Sequence, residues 1–285
     1  MVAMPGRSYD GALEFTPEET GLAGRLRAHV EALAAEQRNV DLERPARYIE
    51  QQLGASRPQP FQSGGRWVRN IETGTGTVVI GAHYDTVPGS PGADDNASGV
   101  AVLLELARMG LPARFVAFAN EEMPYFQSEE MGSHAWAARA RRTGERIDAM
   151  LSLEMLGYYR GVPGSQGYPP PLGWFYPDSA NFIAFVGDLG SRRLVHRAVA
   201  AFRQHARFPS EGVAAPAGIP GVTWSDHWSF RQQGYPAIMV TDTAFYRYPH
   251  YHLPSDTPEK LDYMRMARVT FGLAQVIKEL ANETR

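Results

Sequence analysis

The sequence predicts an α/β protein, a three-layer α/β/α sandwich built on one central sheet. Short segments that are apolar at nearly every position alternate along the chain with segments of helical periodicity. Strands covered on both faces of a sheet have this continuous apolar character, and their alternation with helices is typical of helices packed on both sides of the sheet. The 285 residues, 44% of them hydrophobic, suffice for one large domain or two small ones.

Five segments have the length and the apolar character of buried strands. They are TVVIGAH (77–83), ARFVAFAN (113–120), AMLSLEML (149–156), NFIAFVGD (181–188) and PAIMVTD (236–242). We expect these five segments to form the central sheet.

Helical periodicity is clearest near the start of the chain, where Leu22, Leu26, Val30 and Leu33 share one face of a helix over about 17–37. The same reasoning predicts further helices at 46–54, 96–110, 133–142, 191–206 and 258–282.

The Pro- and Gly-rich stretch 161–181 predicts a long loop that forms a site wall or a surface flap rather than a domain linker. We therefore expect a single domain over residues 1–285, with a helical segment of about 1–55 packed on it.

Composition excludes several classes of partner. The formal net charge of -3 is too small to indicate nucleic acid or a membrane surface. No apolar run approaches the ~20 residues of a membrane span, and the start lacks an apolar signal-peptide centre. A cytoplasmic protein is expected, although a chain trimmed of its secretion leader would look the same. Because there is no cysteine, any metal must be bound by His, Asp and Glu.

Residues with the chemistry of metal ligands follow the predicted strands. His83 ends the first strand and Glu154 lies near the end of the third. Glu121 and Glu122 directly follow the second. Ligands of open α/β sheets bind beyond the carboxyl ends of the strands, so these side chains are expected at one shared site.

Two further pairs extend this set: Asp94 and Asp95 before the helix at 96–110, and His250 and His252 in a late loop. Each candidate also has a structural alternative. The alternatives are an N-cap role for Asp94, Asp95 or Asn96, a solvated turn for Glu121 and Glu122, a paired structural acid for Glu154, and core or surface positions for His83 and His252. The remaining histidines lack this placement and are expected to be structural or surface residues: His29, His134, His196, His205 and His227.

The ordered blocks GAHYDTVPGSPGADDNASG, FANEE, MGSHAWA, LSLEMLGYY, WSDHWSF and PHYHLPSDT resemble the M28 family of metallo-aminopeptidases. The resemblance covers most of the chain, from about Leu22 to the final helix, and the ordered set is far more specific than any one block. It implies an α/β/α sandwich around a mixed, mostly parallel sheet, and a peptide substrate with a free N-terminus.

The resemblance also implies which residues form the site. The implied ligands of two metals are His83, Asp95, Glu122, Glu154 and His252, with Asp95 bridging the two ions. The implied catalytic residues are Glu121 as general base, Asp85 as the acid that orients the His83 ring, and Tyr251 as a phenol that steadies the oxyanion. The motif that continues through Pro254, Asp256 and Thr257 favours His252 over His250.

Peptide hydrolysis explains why such residues would be gathered. A divalent metal lowers the pKa of bound water to roughly 7 and polarises the scissile carbonyl, and two metals ~3.5–4 Å apart can share one hydroxide. For the two metals that the resemblance implies, mixed His and carboxylate ligands predict zinc, with cobalt or manganese also compatible. Many family members have Asp where this chain has Glu154, so the longer carboxylate must retract or bind differently.

Two other functions are compatible with the blocks. Glutaminyl-peptide cyclotransferases resemble the same fold but use one zinc; they carry Trp where this chain has Tyr251 and do not use the first His as a ligand. A non-catalytic binding relative would have lost ligands, whereas every ligand position is filled here.

Aromatic and apolar residues near the site could line a side-chain pocket or simply pack in the core. They are Met123, Tyr125, Phe126, Tyr158, Tyr159, Trp224, Trp228 and Phe245.

Overall fold

The computed structural model describes residues 3–39 and 41–282. The helices of these residues are α1 (Pro17–Leu33), α2 (Glu43–Leu53), α3 (Gly99–Arg108), α4 (Gly132–Arg142), α5 (Arg192–His205), α6 (His227–Gln232) and α7 (Tyr263–Asn282). The strands are β1 (Arg57–Ser63), β2 (Arg66–Gly74), β3 (Val78–His83), β4 (Arg114–Phe118), β5 (Ala149–Glu154), β6 (Ile183–Asp188), β7 (Ser210–Ala215) and β8 (Ala237–Thr241).

All eight strands form one mixed sheet in the order β1-β2-β4-β3-β5-β8-β6-β7. The central strands β4, β3, β5 and β8 are parallel to one another. β2 and β6 run antiparallel to this central block, and β7 pairs in parallel with β6. The predicted mixed, mostly parallel sheet is confirmed, and the carboxyl ends of its central strands lie at one edge.

Helices cover both faces of the sheet. On one face α1, α3, α5 and α7 enclose the larger apolar core, which includes Ile80 and Leu151. On the other face α4 and α6 pack through Trp136 and Phe230 against Val79 and Met150. The two sets of sheet residues alternate along β3 and β5, as the period of a strand requires. The predicted three layers are therefore present.

The predicted N-terminal segment, about 1–55, contains α1 and α2. Helix α1 packs against α7 and α3, and α2 packs against β2 and α3. Thr16 and Glu19 cap the start of α1 reciprocally through their side chains. Residues 1, 2 and 40 of the predicted segment lie outside the described residues. None of the described helices is long and apolar enough to cross a lipid bilayer.

The observed elements differ from the predicted ones at several points. α1 ends at Leu33 rather than near residue 37, and the last helix begins at Tyr263 after a single short turn, Pro258–Lys260. Strands β1, β2 and β7 and the short helix α6 were not predicted. β1 and β2 form a hairpin closed by Gly64 and Gly65, both with positive φ.

Candidate metal centre

The candidate centre lies where β3 and β5 end. Gly81 of β3 pairs with Ser152 of β5. Two residues further along each strand, His83 and Glu154 therefore lie side by side on the same face of the sheet. Both side chains are almost fully buried. The register of two neighbouring strands brings these two predicted residues together although 71 positions separate them in the chain.

Asp95 comes from an irregular turn, Ala93–Ser98, that leads into α3. The side chain of Asn96 accepts the backbone N–H of Gly99, the first residue of α3. The N-cap of α3 is Ser98, whose side chain makes no capping hydrogen bond, so none of Asp94, Asp95 or Asn96 is the N-cap residue. Asn96 nevertheless supports the start of the helix from two residues further back. A Cβ at Gly99 would lie 2.6 Å from the carbonyl oxygen of Leu153 in β5, so only glycine lets α3 begin this close to the sheet.

The first cluster of possible metal ligands contains His83, Asp95 and Glu154, whose ligand atoms lie within 4.8 Å of one another. His83 Nε2 is 3.5 Å from Asp95 Oδ1 and 3.4 Å from Glu154 Oε2. Two donors bound to one tetrahedral ion at about 2.0–2.1 Å would lie about 3.3 Å apart. The spacing of this cluster fits one divalent cation.

The second cluster contains Asp95, Glu122 and His252. His252 Nε2 is 3.0 Å from Asp95 Oδ2 and 3.4 Å from Glu122 Oε1. Glu122 Oε1 is buried and has no hydrogen bond, which is costly for a carboxylate oxygen unless a cation binds it. His250 belongs to neither cluster; its Nδ1 contacts Ser255 Oγ at 2.9 Å.

Asp95 joins the two clusters through different oxygens. Oδ1 is the atom nearest His83 and Oδ2 the atom nearest His252. Asp94 points elsewhere, and its Oδ1 accepts the backbone N–H of Gly157 at 2.8 Å.

Two carboxylates outside the clusters, those of Asp85 and Asp256, accept hydrogen bonds from the backbone of the segments that carry the ligand residues. Asp85 accepts the N–H groups of Glu121 and Glu122, each at 3.0 Å. Its Oδ1 is 3.5 Å from His83 Nδ1, which is longer than a normal hydrogen bond. The role of Asp85 in orienting His83 therefore stays a prediction, whereas its hold on the two glutamates is visible in the structure.

Asp256 does the same for the bridging segment. It accepts the N–H of Asp94 at 2.9 Å and the N–H of Asp95 at 3.1 Å, and Tyr248 donates to it at 2.7 Å. In the sequence analysis, Asp256 was used only as part of the motif that favours His252 over His250. Its contact with the backbone of Asp94 and Asp95 was not predicted. Its position within the last of the ordered blocks, PHYHLPSDT, was the available signal.

A serine pair supports Glu154. Ser225 Oγ donates to Glu154 Oε2 at 2.7 Å, and Ser152 Oγ lies 2.7 Å from Ser225 Oγ. All three side chains are buried. Neither serine was assigned to the site from the sequence, although Ser225 lies in the block WSDHWSF.

The electrostatics of the centre favour added positive charge. Burial, together with the Asp95 carboxylate, raises the pKa of Glu122 to about 7. Although burial alone would lower it, the neighbouring carboxylates of Asp95 and Glu122 raise the pKa of His252 to about 10. A group of buried carboxylates that stabilises an imidazolium this strongly would also stabilise a metal cation.

Glu121 and Tyr251 lie beside the clusters without belonging to them. Burial raises the pKa of Glu121 well above its usual range, and the nearby carboxylates of Glu122 and Glu154 add to the shift against the opposing effect of His83. Burial and the carboxylates around it also raise the pKa of the Tyr251 phenol, so this phenol keeps its proton. The Tyr251 ring stacks on His252 with centroids 3.7 Å apart.

An apolar pocket opens next to Glu154 and Tyr251, with an empty volume of about 830 Å³ including its mouth. Its floor is the sheet face formed by Ala184, Val186 and Met239. Its other walls include Phe182, Tyr168, Tyr176, Trp224, Phe245 and Tyr246.

Only two of the aromatic candidates from the sequence, Trp224 and Phe245, line this pocket. Tyr159 instead packs in the core against Phe208, with ring centroids 5.4 Å apart. The five other histidines lie outside both clusters; His29, for example, is buried between Tyr48 and Glu105.

The profile described as Peptidase family M28 matches residues 66–277 of this chain. Among curated proteins, the chain is 45% identical to the "Uncharacterized protein YfbL" of Escherichia coli, over 70% of this chain and 66% of that protein. It is 29% identical to the "Probable leucine aminopeptidase" of Arthroderma otae, over 75% of this chain and 57% of that protein. The matches thus span about two thirds or less of these relatives.

Solved structures share the fold. The LapA aminopeptidase of Legionella pneumophila has a TM-score of 0.72 and 19% identity, over 95% of this chain and 77% of that one. The glutaminyl cyclase of Tannerella forsythia has a TM-score of 0.66 and 20% identity, over 90% and 98%. A zinc aminopeptidase of Bacillus subtilis has a TM-score of 0.56 and 22% identity, over 76% and 51%.

Proposed function

Because this chain belongs to peptidase family M28, we propose that it is a metal-dependent aminopeptidase that hydrolyses the N-terminal peptide bond of peptides. The observation that carries this proposal is the position of Asp95, whose two oxygens face two separate clusters of ligand atoms. A carboxylate shared in this way is what a two-metal hydrolase needs to hold its ions close together.

The proposed cofactor is a pair of zinc ions, with cobalt or manganese as possible substitutes. His83, Asp95 and Glu154 would hold one ion, and Asp95, Glu122 and His252 the other. The three carboxylates offset most of the charge of two dications, and the similar Bacillus subtilis protein is a zinc aminopeptidase. When bound, the ions would supply a nucleophilic hydroxide at neutral pH and polarise the scissile carbonyl.

Glu121 is the proposed general base and acid. Its backbone N–H is fixed by Asp85 at 3.0 Å, and its raised pKa suits a carboxyl that takes a proton from water and gives it to the leaving amine. Tyr251, kept protonated by its surroundings, would donate a hydrogen bond to the developing oxyanion.

The apolar pocket beside the centre is the proposed site for the side chain of the N-terminal residue. Two polar groups of its lining already have partners: Glu211 pairs with Arg203 at 3.4 Å, and Gln166 accepts from Arg247 at 2.8 Å. A charged or amide side chain would therefore lose its hydration without gaining either partner, so we expect a preference for large apolar N-terminal residues. The free α-amine would be recognised by the carboxylates of Glu121 and Glu154.

The proposal is tested with the purified chain and a panel of aminoacyl-p-nitroanilides covering Leu, Phe, Met, Ala, Lys and Glu. We expect turnover that a chelator abolishes and that zinc or cobalt restores, with two metal ions per chain by elemental analysis. Absence of chelator-sensitive turnover across the panel and on unmodified dipeptides and longer peptides would overturn the proposal.

A second candidate is a glutaminyl cyclase, because the Tannerella forsythia cyclase matches this fold over 98% of its own length. The filled first cluster argues against it, since His83 and Glu154 both present ligand atoms there. One metal per chain, together with cyclisation of N-terminal Gln peptides, would reverse the ranking.

A further inference from the structure

Arg38 is a buried cation that the proposed chemistry does not use. It is 2% exposed and follows the end of α1. Its guanidinium donates to four backbone carbonyls: Nε to Tyr84 at 2.9 Å, Nη1 to Leu33 at 2.9 Å and to Pro91 at 2.8 Å, and Nη2 to Gly92 at 2.8 Å. One side chain thus connects the C-terminus of α1 to both ends of the loop 84–92.

The backbone of Arg38 adds to this connection. Its N–H donates to Thr86 Oγ1 at 3.0 Å, and its carbonyl accepts the N–H of Thr86 at 3.1 Å. Gly92 has a φ of +62°, and a Cβ there would lie 2.9 Å from Arg38 Nη2 and 2.2 Å from the carbonyl oxygen of Asp95. The guanidinium therefore fits closely under the loop, with no room for a larger residue.

The loop 84–92, which Arg38 contacts at both ends, connects two of the proposed ligands in the chain. Tyr84 directly follows His83, and Gly92 lies three residues before Asp95. Asp85, which holds the backbone of Glu121 and Glu122, lies in the same loop. A change in this loop would consequently alter the separation of two ligands and the support of a third.

Arg38 also places a positive charge near the centre. The Arg38 guanidinium is within electrostatic range of Asp256, Asp95, Asp85 and Glu122, and it keeps its charge at neutral pH because burial lowers its pKa only to about 10. A permanent cation near the centre would by itself oppose a bound metal ion. Its donors are committed to carbonyls rather than to the carboxylates, so any support of metal binding by Arg38 must act through the loop.

We propose that Arg38 is a positioning residue of the metal centre, which fixes the loop 84–92 so that His83 and Asp95 can bind the same ion. The inference rests on the proposed function in one respect, namely that the centre binds metal. Arg38 touches no ligand atom, and its effect is transmitted through the backbone of the loop.

The test compares Arg38→Met and Arg38→Lys with Arg268→Met. Arg268 also fastens the N-terminal segment, through Glu19 at 3.0 Å, but does not contact the ligand loop. Metal affinity is measured by competition with a chromophoric chelator, the coordination geometry by the absorption spectrum of the cobalt-loaded protein, and the melting temperature without metal.

For Arg38→Met we expect at least tenfold weaker metal binding and an altered cobalt spectrum. Arg38→Lys retains the charge but has three donors on one atom, so its affinity should be intermediate and its spectrum also changed. Arg268→Met should lower the melting temperature yet keep the wild-type affinity and spectrum.

Wild-type affinity and spectrum in folded Arg38→Met would overturn the inference. If Arg38→Met does not fold, Arg38→Lys decides: metal binding within twofold of wild type, with an unchanged spectrum, overturns it. If the wild-type protein binds no metal, the proposed function itself is contradicted. This outcome is distinguishable from failure of the Arg38 inference because it is seen in the wild type alone, before any variant is compared.

Discussion

Ser225 Oγ lies 2.7 Å from Glu154 Oε2 and donates a hydrogen bond to it. Ser152 donates in turn to Ser225 at 2.7 Å, so a chain of two hydroxyls ends on the carboxylate. Both Oε atoms of Glu154 are 3.4 Å from His83 Nε2. The serines therefore hold the Glu154 carboxylate at a distance from His83 that would suit a shared cation. This contact is compatible with a glutamate at a position where the resemblance implies aspartate in many relatives.

Replacing Ser225 by Ala should weaken metal binding at the first cluster. A hydrogen bond to a charged group contributes about 1.5–3 kcal/mol, and loss of such outer contacts typically costs about 10–100-fold in metal affinity. Metal titration should show one weakened site and one unchanged site. Ser191→Ala is the matched control, because Ser191 is buried and its Oγ has no hydrogen bond; equal affinities in the two variants would contradict the role of Ser225.

Replacing Glu154 by Asp should also affect the first cluster more than the second. The carboxylate would be drawn back by one methylene, away from both Ser225 and His83. We expect about 10–100-fold weaker binding of one ion, measured by the same titration. If Glu154→Asp binds metal as tightly as the wild type or more tightly, metal binding does not depend on the longer side chain of glutamate beside Ser225.

Replacing Glu121 by Gln should separate catalysis from metal binding. The amide keeps the shape of the side chain but cannot carry the proton, so kcat should fall by about 10²–10⁴-fold. Metal content and melting temperature should stay at wild-type values, and Glu129→Gln, on the exposed part of the same loop, should remain active. If Glu121→Gln retains activity within tenfold of wild type, another group is the base.

Replacing Ala184 by Phe should change which N-terminal residues are accepted. Ala184 lies on the pocket floor and is 6% exposed, so a ring at this position fills space that the side chain of the substrate would occupy. We expect kcat/KM for Leu and Phe substrates to fall by about tenfold or more, with a much smaller change for Ala. The smaller change Ala184→Val should give a graded shift. If the ratio of kcat/KM for Leu and Ala substrates is unchanged, the pocket does not bind the side chain of the N-terminal residue.

His227 should make folding stability depend on pH. Burial lowers the pKa of His227 to about 4, and its Nε2 donates to the carbonyl of Val222 at 2.9 Å; its charged neighbours are Asp188 and Arg231. With a pKa of about 6.5 when unfolded, the neutral ring contributes stability that is present above pH 6.5 and is lost as the pH falls toward 4.

Between pH 8 and pH 5 this loss amounts to about 2 kcal/mol. Urea unfolding in the presence of chelator should show it in the wild type, and His227→Gln should remove that part of the pH dependence. The same pH slope in both proteins would assign the effect to other groups.

The central strands could be predicted because β3, β4, β5 and β8 are buried on both faces and have continuous apolar sequences. The hairpin of β1 and β2 could not, because β1 contains Pro58 and Pro60 and is exposed at alternate positions, so its sequence resembles a loop. The Gly64-Gly65 pair was the one local signal for it. The sequence predicted that this helix begins at residue 96, whereas α3 begins at Gly99, because the chain first makes the turn that carries Asp95.

The position of the candidate site could be predicted from strand ends, since parallel strands deliver their following residues to one edge. The supporting contacts could not. Ser225 reaches Glu154 across 71 positions, and Asp256 reaches Asp95 across 161. No spacing rule connects such residues, because the pairing depends on how the loops fold over the finished sheet.

The four carbonyl bonds of Arg38 have a consequence for where this protein can be cut. The stretch that matches the family profile begins at residue 66, downstream of both Arg38 and α1. A fragment trimmed to that boundary would keep every proposed ligand and yet expose the surface of α7 that α1 covers. It would also leave the loop ahead of Asp95 without its anchor. If Arg38 positions the centre as proposed, such a fragment should bind metal more weakly than the full chain, although it contains the whole stretch that matches the family profile.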